Sequence, residues 1–226
     1  MKVLNLLGVD LNAPSVIATF SSAAQGKSTL MAYFVKELNE NGKTILIISD
    51  EVNSVWFTRL KNIDCYGGVG ITHLPWFKNV GILEEIKKVK KAEPNLNCVI
   101  VDRPFESNDR DTITELCSFI RENNMMLFVA QNSRRLVGEE TPSTDLTKMQ
   151  NTDVGLSLYR KPVIKLAWYK RLINLFAKPF GKAPYVNPNV TLKVVKNRYD
   201  RDRHSLDIFL DFKKVNNRTY ESSCNR

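Results

Sequence analysis

The stretch VIATFSSAAQGKSTLMAYFVKEL, Val16 to Leu38, decides the reading of the whole chain. It opens on an apolar β-type run, Val16-Ile17-Ala18. Small and polar residues follow, then Gly26-Lys27-Ser28-Thr29 and a helical apolar pattern through Leu30, Phe34, Val35 and Leu38. A strand, a tight loop and a helix N-terminus in that order form the setting a phosphate-binding loop needs, because backbone N–H groups and the positive end of the helix dipole converge there. Ser22, Ala23, Ala24, Gln25, Gly26, Lys27, Ser28 and Thr29 are the candidate nucleotide-binding residues. The Lys27 ammonium would reach the β- and γ-phosphates, and the Ser28 hydroxyl would ligate Mg²⁺. One position departs from the usual motif: its opening glycine is Ser21 in this chain.

The remaining composition is compatible with this reading. At 226 residues, 43% hydrophobic and 25% charged, the chain is long enough for one large α/β domain with a full core. Its formal net charge of +9 favours a polyanionic partner, nucleic acid or an anionic surface, without choosing between them. Cys65, Cys98, Cys117 and Cys224 lack metal-type spacing. Cys98 and Cys117 fall in apolar runs and read as core residues, and the pattern fits a reduced, cytoplasmic protein (host cytoplasm if phage-encoded). No apolar run approaches the ~20 residues of a membrane span.

Strands and helices alternate along the chain. Thr44–Ser49, Cys98–Asp102 and Met126–Gln131 are near-continuous apolar runs, as expected for strands buried on both faces of a parallel sheet. Helical patterns cover 53–62, 81–92 and 111–123, and a loop with a short strand fills 63–78. Val154–Tyr159 reads as a further strand. Thr191–Lys196 and Leu206–Phe212 read as two more, flanking a charged turn. The expected fold is therefore α/β, a mainly parallel central sheet flanked by helices with antiparallel edge strands at the C-terminal end. A single domain spans 1–226, with 1–13 as a lead-in, 160–184 as a basic insertion and 213–226 as a flexible tail.

In an open α/β sheet, ligands bind beyond the carboxyl ends of the strands. The strands end at Lys27 and Ser28 (after the loop), Glu51, Asp102 and Gln131. Asp102 follows four β-type apolar residues and is the expected carboxylate partner of Mg²⁺. Glu51 could take a proton from an attacking water, and Gln131 could sense the γ-phosphate. Each carboxylate could instead cap the following helix.

Taken together, these segments resemble the helicase domain of bacterial and phage replicative hexameric helicases, the DnaB type, within the RecA-like P-loop ATPases. ILIISDEV (45–52) followed by TRL (58–60) is similar to the family's strand, Ser-x-Glu and later Arg-Leu, which places the catalytic glutamate at Glu51. CVIVD (98–102) is similar to the metal-site strand. LFVAQNSRR (127–135) is similar to the Ser-Gln-Leu-x-Arg segment, which places the sensor at Gln131. TPSTDLTKMQNTDVGLSLYR (141–160) is similar to the loop that ends in Ala-Asp and a Tyr-Arg strand. VVKNRYDRDRHSLDIFLDF (194–212) is similar to the closing Lys-x-Arg-x-Gly turn and last strand, which places a trans-acting pair at Lys196 and Arg198. The resemblance covers residues 14–212, so no N-terminal primase-interacting domain is expected. Two departures stand out: Ala130 precedes the glutamine in place of Ser, and Tyr199-Asp200 replaces the glycine-containing turn.

The resemblance implies ATP and Mg²⁺ as cofactors. It also implies single-stranded DNA, further copies of the chain in a ring of the hexameric kind, and other replication proteins as partners. DNA contacts in the family come from loops facing the ring centre, which points to Arg134, Arg135 and Lys148. The 160–184 insertion interleaves Lys and Arg with Trp168, Tyr169 and Phe176, a pattern open to subunit docking, nucleic-acid contact or an interfacial helix. The main alternative is a protein of the same fold that uses nucleotide only to assemble. A small-molecule P-loop kinase would want an Arg-rich lid, which is not evident.

Overall fold

The computed structural model of the chain describes residues 3–22, 25–65, 67–74, 81–102, 110–132, 151–160, 189–198 and 205–216. In chain order the elements are α1 (Val3–Leu6), β1 (Ser15–Ser21), α2 (Lys27–Glu40), β2 (Thr44–Ser49), α3 (Asn53–Asn62), β3 (Val69–His73), α4 (Ile82–Ala92), β4 (Leu96–Asp102), α5 (Arg110–Glu122), β5 (Met126–Asn132), β6 (Val154–Arg160), β7 (Val190–Asn197), β8 (Ser205–Ile208) and α6 (Phe212–Asn216). The strands form one sheet in the order β3-β2-β4-β5-β1-β6-β7-β8. Strands β1 to β6 run parallel, and β7 and β8 close the edge antiparallel. This is the sheet expected from the alternating pattern.

The strands that read as continuous apolar runs lie in the middle of the sheet, where helices cover both faces. On one face Ile17, Ile45, Ile47, Cys98, Ile100 and Phe128 pack beneath α2, whose Leu30, Phe34 and Leu38 are fully buried at helical spacing. The Phe34 and Phe128 rings meet at 5.5 Å. On the other face Val16, Leu46, Ile48, Val99, Val101, Leu127 and Val129 pack beneath α4 and α5 through Ile86, Leu116, Cys117 and Ile120. Successive residues of each central strand therefore serve opposite cores. Burial holds the Cys98 thiol far above its usual range and pushes Cys117 up to about 11, in keeping with core roles.

Among the described residues, helices lie within the expected lead-in and at the start of the expected tail. The lead-in carries α1, with Leu4 fully buried, and the amides of Leu4 and Asn5 each donate at 3.0 Å to the buried carboxylate of Glu37 on α2. At the other end the last strand stops at Ile208, not Phe212. Phe212 instead opens α6, whose Val215 is fully buried.

Candidate functional site

Strand β1 ends at the buried Ser21, and α2 begins six residues later behind Gly26. Gly26 has φ 102°, a left-handed backbone that L side chains rarely adopt, and its carbonyl accepts the first helical bond from Leu30 N at 2.9 Å. The Lys27 ammonium turns back over the loop. It donates to the Ser21 carbonyl at 3.1 Å, the Ser21 hydroxyl at 3.0 Å and the Ser22 carbonyl at 3.1 Å. Ser21, the departure from the usual glycine, thus supplies a side-chain acceptor that helps aim the lysine. Burial lowers the Lys27 pKa, and the nearby Asp102 charge opposes that shift.

Asp102 ends β4 on the same face of the sheet as Ile100 and Cys98, the α2 side. The Ser28 hydroxyl hydrogen-bonds to its carboxylate, so the two predicted Mg²⁺ partners are brought together. Burial raises the Asp102 pKa to about 6. The Ser28 bond opposes the rise, the Glu51 charge adds to it, Arg59 opposes it and Asp50 adds to it. Ser49 braces the neighbouring strand end: its hydroxyl accepts from Glu51 N at 3.1 Å and donates to the Asp102 carbonyl at 3.4 Å.

A buried acid with a raised pKa is destabilising once ionised. The unfolded chain ionises near 3.8 and the folded chain near 6, so stability falls as pH rises between those values. Above that window the deficit is roughly 3 kcal/mol, from 1.36 kcal/mol per pK unit. Asp102→Asn is therefore expected to raise the melting temperature of the nucleotide-free protein near pH 8, to leave it unchanged near pH 3, and to abolish Mg²⁺-dependent nucleotide binding. Thermal melts at the two pH values and a Mg²⁺ titration check this. A lower melting temperature near pH 8 would mean that the Asp102 charge is fully compensated.

Glu51 does not cap α3; the N-cap is Val52, with no side-chain cap. Its carboxylate is held by both guanidinium nitrogens of Arg59, further along α3, with Nη2 donating to Oε1 at 3.0 Å. Arg59 is itself buried and lies over the Trp56 ring at 5.3 Å. The Arg-Leu at 59–60 is visible in the sequence, but nothing there gives Arg59 this role.

Phe212 of α6 packs directly on Gly26, where a Cβ would stand 2.8 Å from the ring's Cζ. Positive φ and this contact together reserve the position for glycine. The Arg160 guanidinium lies over the other part of this platform, 4.2 Å from the Phe212 ring centroid, and Gln25 Oε1 accepts from Arg160 N at 2.9 Å. The ends of β1 and β6 and α6 therefore meet at the loop that precedes α2.

Lys196 and Arg198 lie at the other end of the sheet. Lys196 pairs with Gly155 and Asn197 with Val154 at the start of β6, and Val154 pairs with Ile17 at the start of β1. From Val16 to Ser21 the strand runs about 16 Å at ~3.3 Å per residue. Arg198 is thus separated by the length of β1 from the candidate phosphate loop of its own chain; its guanidinium bonds Asp153 at 3.1 Å. Burial lowers the Lys196 pKa, as does the Arg198 charge, while Asp153 opposes. Gln131 is buried at the tip of β5, on the α5 face with Leu127 and Val129, opposite Ser28 and Asp102. Among the described residues its Oε1 has no hydrogen-bond partner. Ala23, Ala24, Arg134, Arg135, Lys148 and residues 161–184 of the insertion lie outside the described residues.

No known family profile matches the sequence, and no curated protein matches it. Solved structures do. A DnaB-like replicative helicase, reported with its interactions with primase, superposes with a TM-score of 0.60 at 12% identity over 91% of this chain. A second solved structure, described as an ATPase domain, superposes with a TM-score of 0.61 at 14% identity over 90% of this chain. The chain has the RecA-like fold of DnaB-type helicase domains. It spans 58% of the first of those proteins and 83% of the second.

The residues present fit a nucleotide-bound Mg²⁺. That ion keeps several waters and takes one or two hard protein oxygens plus phosphate oxygens, and Ser28 and Asp102 offer a paired hydroxyl and carboxylate. Among the described residues there is no cluster of three or more His, Cys, Asp or Glu side chains to form an all-protein metal cage. No helix among them is long and apolar enough to cross a membrane.

Proposed function

We propose that the chain is a Mg²⁺-dependent ATPase of the DnaB/RecA-like helicase type that works as an oligomer on single-stranded DNA. The observation that carries this reading is the separation of two phosphate-directed groups along one strand. Lys27, Ser28 and Asp102 gather at the carboxyl end of β1 and β4, while Arg198 sits at the opposite end of β1. An arginine so placed has no phosphate of its own chain to act on, and would complete the site of a neighbouring copy. Lys27 would bind the β/γ-phosphates through charge, and Mg²⁺ held by Ser28 and Asp102 would neutralise phosphate charge. Glu51 would orient and deprotonate the attacking water. The Arg160–Phe212 pair beside Gly26 offers a flat cationic and aromatic surface for the base. Gln131 faces α5, away from Ser28 and Asp102, so it takes no direct part at the phosphates in this reading and serves only to lead into the loop after β5. Arg134, Arg135 and Lys148 on that loop would contact DNA phosphates. The net charge of +9 favours such a polyanionic partner. Other replication proteins would join the assembly, and the cytoplasm is the compartment where it would act.

One observation favours a second reading, a protein of this fold that binds nucleotide mainly to assemble: the carboxylate of Glu51 is already engaged by Arg59. ATPase assays with and without single-stranded DNA, alongside the mass in solution, separate the two. The proposed function is expected to give Mg²⁺-dependent turnover stimulated by DNA from a species several times the 25.8 kDa chain mass. Nucleotide-dependent assembly without turnover would favour the second reading. A monomer with no nucleotide affinity would exclude both.

A further inference from the structure

Asp153 lies just before β6 with a side chain only 6% exposed. Its backbone amide donates to the Val16 carbonyl at 2.8 Å, and its Oδ2 accepts from Val16 N at 2.8 Å. Both backbone groups of Val16, near the start of the strand that leads into the phosphate loop, are thus satisfied by one residue. Arg198 approaches from β7: its amide donates to the Asp153 carbonyl at 2.9 Å and its Nη1 to Oδ1 at 3.1 Å. Arg121, in the last turn of α5, brings Nη2 to 3.2 Å from both carboxylate oxygens and donates to the Asn151 carbonyl at 2.9 Å. A buried carboxylate requires such compensation. Here it comes from two cations on different elements, and the backbone ladder fixes where the carboxylate stands.

Arg198, by contrast, is half-exposed, with 49% of its side chain open to solvent. A long flexible side chain at a strand end acts as a phosphate clamp only if its guanidinium plane is held in place. We propose that Asp153 is the positioning residue for Arg198, anchoring the guanidinium at the end of β7 and tying it mechanically to β1. This inference rests on the interface role given to Arg198 above. Binding of a neighbour's phosphate to Arg198 is then transmitted through Asp153 to Val16, at the start of the strand that carries this subunit's own phosphate loop.

The test is a cycle of Asp153→Asn and Arg198→Ala. Asp153→Asn keeps an acceptor for Val16 N but loses the charge that holds the guanidinium. It is expected to lower kcat for ATP by ~10²-fold, the scale of a misplaced reacting group, with nucleotide affinity unchanged. In an Arg198→Ala background the same change is expected to cost nothing further, because the group it positions is gone. A merely structural aspartate would lower kcat equally in both backgrounds, and that result overturns the proposal. If Arg198→Ala lowers kcat but Asp153→Asn does not, the positioning role alone fails. If Arg198→Ala is itself silent, the interface role and this inference fall together. Should Asp153→Asn not fold, Arg198→Lys reports on the same geometry. It keeps the charge without the guanidinium plane and is expected to lose at least about tenfold in kcat; full turnover overturns the proposal.

Discussion

Mixing a Lys27→Ala protein with an Arg198→Ala protein is expected to restore ATP turnover that neither shows alone. Each substitution by itself should remove nearly all activity, for different reasons. Lys27 is the cation of the proposed phosphate loop, aimed by three oxygen acceptors of Ser21 and Ser22, and its loss would remove charge from the chain's own proposed site. Arg198 stands at the far end of β1, bonded to Asp153, so its loss cannot touch that site directly. An arginine supplied in trans to a transferring phosphoryl group is worth ~10³ or more in rate. In a mixed assembly, some interfaces pair an intact phosphate loop with an intact Arg198, and those interfaces should turn over. Steady-state ATPase across a titration of the two proteins, with co-assembly checked by mass, measures this. Co-assembled mixtures that stay inactive would rule out the action across subunits. An Arg198→Ala protein with near wild-type turnover would rule out any role for the residue in hydrolysis.

Glu51→Gln is expected to bind ATP and Mg²⁺ normally and to hydrolyse ATP at least ~10²-fold more slowly, the scale of a lost general base. The structure adds a second expected effect. Arg59 is buried and donates both its terminal nitrogens to Glu51, so a neutral partner leaves a buried guanidinium poorly compensated. The Glu51 side chain is 35% exposed, so solvent moderates the loss, which is expected at about 1 kcal/mol. Slow turnover with a small drop in melting temperature fits a base held in place by Arg59. A drop in melting temperature with turnover near wild type would make Glu51 only the partner of Arg59, and would favour the assembly reading.

The residues of chemical interest were legible in the sequence to different depths. The setting of Gly26, Lys27 and Ser28 could be read because strand end, loop and helix start are adjacent in the chain. Asp102 could be read because four apolar residues before a lone carboxylate mark a buried strand that ends in a charge. The run of parallel strands beside the antiparallel edge followed from the same alternation. The pairing of Ser28 with Asp102 then needed only the rule that ligands gather at the carboxyl ends of the strands.

Other features were settled only when distant parts of the chain met. The strand expected to run to Phe212 ends at Ile208 because Leu210 and Val215 are drawn into the core beneath α6, which sets the Phe212 ring on Gly26. No local pattern near Phe212 refers to Gly26. Glu51 could be read as a base or as a helix cap; the bidentate contact with Arg59 depends on how α3 turns back over the strand end. Gln131 could be placed at a strand tip, but its face follows from the register that sets Leu127 and Val129 against α5. In the sequence Asp153 is only the acid that precedes the strand in the 141–160 segment. It became the joint between β1, α5 and β7 because parallel pairing of Ile17 with Val154 carries it to Val16, and antiparallel pairing of β6 with β7 brings Arg198 to the same point. The sequence by itself determined the alternation of strands and helices and the strand–loop–helix setting of Gly26, Lys27 and Ser28, since hydrophobic periodicity and turn preferences act between near neighbours. The partner of each charged side chain was decided by the tertiary structure, because sheet register and helix packing set contacts between residues far apart in the chain.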